Sequence, residues 1–189
     1  MTDHRLRQED SERIAAWTGR MAPAAAGNMM TVDVEDYFQV EAFFSRIDRK
    51  DWNNFECRVE RNVDAILEMF GQTGTKATFF TLGWVAKRYP QMIRRMVDSG
   101  HEVASHGLEH RRCDSLPRAG LLADLKDSKS LLEDLSGRPV NGYRAASFSV
   151  TRKNLWALEA IAEAGYRYSS SIYPIRHDLY GIPEAPRFA

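Results

Sequence analysis

The sequence predicts one α/β domain of parallel strands, and three observations carry this. Short β-rich apolar runs alternate with segments of helical periodicity. Gly or Pro punctuates most junctions, and polar residues able to do chemistry cluster just after the strand-like runs. Periodicity alone leaves two architectures open, an α/β barrel and a doubly wound sheet.

The elements follow in order. Residues 29–34 (MMTVDV) form a short buried strand. Val59, Val63, Ile66, Leu67 and Phe70 share a helical face, which Gly71 and Gly74 end. Residues 76–82 (KATFFTL) are the second strand. Pro90, favoured in a first helical turn, opens a helix that turns Ile93, Met96 and Val97 inward and stops at Gly100. Residues 101–105 (HEVAS) are the third strand.

A longer helix carries Leu121, Leu122, Leu125, Leu132 and Leu135, opening near residues 115–117 and closing at Gly137. Residues 140–144 are the fourth strand. Thr151 caps a helix with Leu155, Leu158 and Ile161 inward, ended by Gly165. Residues 166–172 are the fifth strand. The stretch 36–57 is long, aromatic and charged; a loop of that length is functional or holds a short helix of its own.

The chain has 189 residues, 43% hydrophobic and 28% charged, which suits one soluble domain. Twenty-six basic and twenty-six acidic side chains cancel, which argues against nucleic-acid binding by bulk charge. No apolar run reaches the roughly 18 residues of a membrane-spanning helix. Cys57 and Cys113 are too few for a disulfide framework or a four-cysteine zinc site. Residues 1–27 mix charges too early for a signal peptide and read as a flexible extension. The expected compartment is the cytoplasm, with membrane association or export open.

Parallel α/β folds place their active sites at the C-terminal ends of strands. Asp33, Glu35 and Asp36 follow the first strand, His106 and His110 the third, Arg144 and Ser147 the fourth, and Ser169–Ser171 the fifth. Three acids at a buried strand end are costly unless paired or metal-bound. Two-residue alternation puts Asp33 and Glu35 on one face. The competing reading is that these acids cap the following loop or pair with Arg58 and Arg61. An H-x-x-x-H pair suits a divalent metal, on a helix or across a tight turn at Gly107. Arg144 has one of the acids as its expected partner. Tyr37, Phe38, Phe43, Phe44 and Trp52 either line a sugar groove or pack the long loop. Cys113 is a poor third ligand where carboxylates are at hand.

The set TVDVEDYF, KATFFTLGWVAKRYP, GHEVASHGLEH and GYRAASFS resembles the polysaccharide deacetylases of the NodB-homology type, carbohydrate esterase family 4. DVEDYF, LGWVAKRYP and YGIPEAPR are similar to a bacterial subgroup associated with exopolysaccharide and exosortase functions. The resemblance covers residues 28–189 as the catalytic domain. It implies a distorted (β/α) barrel of about seven strands and metal-dependent hydrolysis of N-acetyl groups from an acetylated amino-sugar polymer, with zinc the expected ion.

By the same resemblance Asp33 is the catalytic base and Glu35, or else Asp36, joins His106 and His110 as metal ligands. Arg144 orients the base, and the backbone N–H of Ser147 helps bind the oxyanion. The third family motif is Arg-x-Pro-aromatic, where this chain has Arg144-Ala145-Ala146-Ser147. The fourth offers an Asp, where only Ser169–Ser171 stand, and the Leu-His of the fifth is not found by Ala189. The domain is therefore expected to lack its C-terminal strands. The alternatives are a catalytically weak or inactive carbohydrate-binding protein of the same fold and a metal-free amidohydrolase.

Overall fold

The computed structural model describes residues 29–186. The extension expected over residues 1–27 lies outside them. Five strands form one parallel sheet in sequence order: β1 (Met30–Val34), β2 (Ala77–Thr81), β3 (Glu102–Ser105), β4 (Gly142–Tyr143) and β5 (Tyr168–Ser169). Each stands inside a run that the sequence marks as a strand, trimmed at its ends. A doubly wound sheet reverses its strand order at a switch point. This one does not, so right-handed crossovers place the helices on one side, as in a barrel wall. Among the described residues β1 and β5 are the two edges of the sheet.

Among the described residues five α-helices accompany the sheet: α1 (Val59–Thr73), α2 (Gly83–Arg88), α3 (Pro90–Asp98), α4 (Arg118–Ser136) and α5 (Trp156–Glu163). The apolar stripe of α1 buries Val59, Val63 and Phe70; the helix runs through Gly71 and ends at Gly74 in the left-handed conformation. Pro90 opens α3, which buries Met92, Ile93 and Met96. Pro117 and Gly137 bound α4, which buries Leu121, Leu125 and Leu132.

Two expectations are corrected. Thr151 does not cap α5; it caps a 3-10 turn, Arg152–Asn154, through a reciprocal bond with Asn154. The sequence reading also missed α2, which leaves β2 directly, because six residues are too few to show a helical period.

The sheet has two chemically different faces. Val32, Val34, Phe79, Val103 and Tyr143 pack into the core with the helices. Burying such a side chain contributes ~1.5–3 kcal/mol. Val34, Thr81, Ser105, Tyr143 and Ser169 form one row across the sheet. One step past that row come Glu35, His106, Arg144 and Ser170, on the face opposite the core by strand alternation. Register alone therefore gathers the polar residues at one rim.

Candidate metal centre and active site

Glu35, His106 and His110 each bring one ligand atom within 4.8 Å of the others. Both imidazoles are buried, and their centroids lie 5.2 Å apart, edge to face. With Asp33, Glu41 and Ser147 they line a cleft of about 240 Å³.

The two histidines sit on a turn, not on a helix. Gly107 reverses the chain at φ +80°, and an added Cβ would meet the Asp124 carboxylate at 3.0 Å. The turn is held from several sides. The first amides of α2, on Gly83 and Trp84, donate to the Gly107 and Leu108 carbonyls, both at 2.8 Å. Asp124 of α4 accepts from the Leu108 N–H at 3.3 Å. Arg49 donates through Nε to the Glu109 carbonyl at 2.7 Å and through Nη2 to that of His110 at 3.1 Å. His110 itself is left-handed, at φ +50°. For a non-glycine residue that costs of order 1–3 kcal/mol and persists only where its surroundings over-determine it.

The donor set fits a divalent cation. His106 Nδ1 donates to the Arg144 carbonyl at 2.8 Å, which fixes the tautomer and leaves the Nε2 lone pair for a ligand. Burial lowers the pKa of His106. Burial, then His106 and Arg49, lowers that of His110 to about 3, so both rings are neutral at physiological pH, as metal ligation requires. Burial and the neighbouring Asp33 raise Glu35 to about 7. Its buried Oε2 lies 3.0 Å from His110 Nε2 yet makes no hydrogen bond. A buried oxygen lacking a partner beside two neutral imidazoles is the environment a cation satisfies.

Asp36 does not join this group. One of its oxygens accepts from the Tyr37 N–H at 3.0 Å, the other from the N–H groups of Arg58 at 2.6 Å and Val59 at 3.0 Å. It caps a 3-10 turn, Tyr37–Gln39, and the start of α1 together. As the alternative metal ligand it is corrected, and the reading of the acids as loop caps holds for this one. The Asp36-x-x-Gln39 spacing of a capping box was the available signal.

Arg144 holds Asp33 in the cleft. Its Nη1 meets Asp33 Oδ1 at 2.5 Å, and its Nη2 donates to Thr31 Oγ1 at 3.1 Å and Ser170 Oγ at 3.0 Å. The guanidinium lies 4.0 Å from the Phe80 ring centroid. Ser171 Oγ accepts from the Ala145 N–H at 2.9 Å and shares a bond with Ser169 Oγ at 2.7 Å. These serines brace the Arg144 loop. Ser147 lines the cleft at φ +52°, with Phe148 at φ +47°, and its hydroxyl donates to Glu41 Oε2 at 2.8 Å.

Glu41 and Arg49 went unrecognised in the sequence; Ser170 stands in the Ser169–Ser171 cluster, but its bond to Arg144 was not foreseen. Glu41 and Arg49 belong to the stretch 36–57, which forms three 3-10 turns whose contacts no periodicity encodes. That loop has structure of its own and also reaches the cleft. Phe38 and Trp52 are buried and pack the loop, with Trp52 edge-on to Trp84 at 5.7 Å. Phe44 meets the His110 ring edge-on at 5.4 Å. Tyr37 and Phe43 are exposed. Cys113 is buried against the Tyr143 hydroxyl, away from the ligands. His177 stacks on Tyr180.

The polysaccharide deacetylase family model matches residues 50–169. A peptidoglycan deacetylase from Helicobacter pylori is 26% identical over 113 residues, 60% of this chain and 38% of that protein. A peptidoglycan-N-acetylglucosamine deacetylase from Bacillus cereus is 28% identical over 107 residues, 54% of this chain and 46% of that one. The chain therefore spans less than half the length of either relative. A structure from Mycobacterium smegmatis, assigned to the polysaccharide deacetylases, shares the fold with a TM-score of 0.64 at 24% identity, over 80% of this chain and 55% of that one.

Proposed function

The chain belongs to the polysaccharide deacetylase family, whose model covers residues 50–169, and from that premise we propose that it hydrolyses N-acetyl groups on an acetylated amino-sugar polymer with the help of a divalent metal, zinc by preference. The observation that carries this reading is the convergence of Glu35, His106 and His110 beside an Asp33 that Arg144 holds in place. The DVEDYF and YGIPEAPR segments favour an exopolysaccharide among the acetylated polymers.

Glu35, His106 and His110 would hold the ion. When bound, such an ion polarises the acetyl carbonyl and lowers the pKa of the attacking water. Asp33 accepts the proton that the water loses. The Arg144 fork fixes the direction of the Asp33 carboxylate, with Thr31 and Ser170 fixing the fork in turn. Ser147, in its left-handed turn, presents its backbone N–H toward the oxyanion of the tetrahedral intermediate.

The test is acetate release from an N-acetylglucosamine oligomer by the purified chain, with and without chelator. Release that is lost with chelator, with His106→Ala and with Asp33→Asn supports the reading. Full activity in both variants contradicts it, and activity that survives chelator points to the metal-free amidohydrolase. A second reading, a carbohydrate-binding protein with little turnover, is favoured by Ala145-Ala146-Ser147 in place of the family's Pro and aromatic. Zinc and sugar binding without acetate release would select it.

A further inference from the structure

Two cleft residues on different loops, His110 and Ser147, share an unusual feature: both are non-glycine and both are left-handed. Each is tied by a side chain from the stretch 36–57. Arg49 takes the Glu109 and His110 carbonyls in one fork, at 2.7 and 3.1 Å. Glu41 accepts the Ser147 hydroxyl at 2.8 Å, and Arg112 lies 3.7 Å from the same carboxylate oxygen. The Arg49 guanidinium also lies 4.8 Å from the Phe44 ring centroid, and Phe44 in turn meets the His110 ring. Neither Glu41 nor Arg49 takes part in the chemistry proposed above.

We infer that Arg49 and Glu41 are positioning residues, two ends of one clamp that sets His110 for the metal and Ser147 for the oxyanion. The physical reason is the same at both ends. A left-handed non-glycine residue relaxes toward ordinary backbone unless external contacts hold it. Relaxation at His110 swings a ligand ring, and relaxation at Ser147 turns its N–H away from the cleft. Arg49 suits its task because a planar fork grips two successive carbonyls, which the point charge of a lysine cannot do. Because each end grips a different loop, the two effects separate.

The inference rests on the proposed deacetylase reading, and its test separates the two. Zinc affinity is measured by competition titration of the chelator-stripped chain, and kcat and KM from acetate release by the zinc-loaded chain. Arg49→Ala is expected to weaken zinc binding about tenfold or more, the usual effect of losing a group that orients a ligand. Arg49→Lys, which keeps charge and stem, should lose most of that affinity as well. Glu41→Ala is expected to bind zinc like the wild type and to lose about tenfold in kcat at unchanged KM. Glu41→Gln, which keeps an oxygen for Ser147, should recover most of the rate.

Wild-type zinc affinity in both Arg49 variants overturns the clamp, as does wild-type kcat in Glu41→Ala. So does a parallel fall of both readouts in every variant, which is the mark of general destabilisation. A wild type that takes up no zinc overturns the clamp together with the metal reading. A wild type that binds zinc but releases no acetate overturns the deacetylase reading and the Glu41 end, while the Arg49 end is decided by zinc affinity alone.

Discussion

The Arg144 guanidinium meets the Asp33 carboxylate at 2.5 Å across 111 residues of sequence. Both lie on the polar face of the sheet, one residue on β1 and one just past β4. The same arginine offers its main-chain carbonyl to His106 Nδ1 at 2.8 Å. One residue thereby fixes the Asp33 carboxylate with its side chain and the His106 tautomer with its backbone. Arg144→Lys is expected to lose at least tenfold in kcat/KM, since a single ammonium cannot replace a fork shared by Asp33, Thr31 and Ser170. Zinc affinity should stay near wild type, because the backbone carbonyl remains. Steady-state kinetics alongside a zinc titration checks both halves.

Glu35 faces the cleft while its neighbour Asp36 caps backbone N–H groups, and their alanine variants should diverge. Asp36→Ala removes the acceptor of three backbone N–H groups and should lower stability by ~1–2 kcal/mol, the range for a lost helix cap. Its zinc affinity should be unchanged. Glu35→Ala should do the reverse, losing zinc affinity with little loss of stability in the metal-free chain. Chemical denaturation and zinc titration of the two variants decide between these roles.

How much of this was legible in the sequence differs by element. All five strands, α1, α3, α4 and the inward residues of α5 could be read from period and punctuation, because burial imposes period on any long element. The place of Glu35 on the cleft side, with Asp33, was legible in strand alternation. What could not be read lies in irregular backbone. Glu41 and Arg49 act through contacts across 106 and 61 residues, and no local pattern encodes such pairings. The capping role of Asp36 was legible in its spacing to Gln39 and was outweighed by the expectation of chemistry.

Asp124 predicts a pH dependence of stability. Burial raises its carboxyl to about 6 in the folded chain, above the ordinary value near 3.8. A proton on Asp124 therefore favours folding. Its contribution is full below about pH 4 and is lost as pH rises through about 6, a change of order 2–3 kcal/mol. Asp124→Asn keeps an oxygen for the Leu108 N–H and never ionises. In metal-free buffer it should match the wild type near pH 4 and exceed it at pH 7–8. Melting temperatures across that range check this, and a variant equally destabilised at every pH contradicts it.

Gly107 should tolerate no side chain. At φ +80° an alanine is strained, and its Cβ would stand 3.0 Å from the Asp124 carboxylate. Gly107→Ala is expected to cost more than ~1 kcal/mol of stability and to weaken zinc binding by shifting the turn that joins His106 to His110. Gly74→Ala is the control for backbone strain alone. Gly74 has φ +66° with nothing within 4 Å of an added Cβ, so its variant should lose stability and keep zinc affinity.

In the proposed mechanism Glu35, His106 and His110 bind a metal while Asp33, held by Arg144, acts as the base. Acetate release by Asp33→Asn at full zinc occupancy tests it most directly. Zinc binding is expected to match the wild type, with a rate lower by about 10²–10⁴-fold. A zinc-loaded Asp33→Asn chain that releases acetate at the wild-type rate would contradict it.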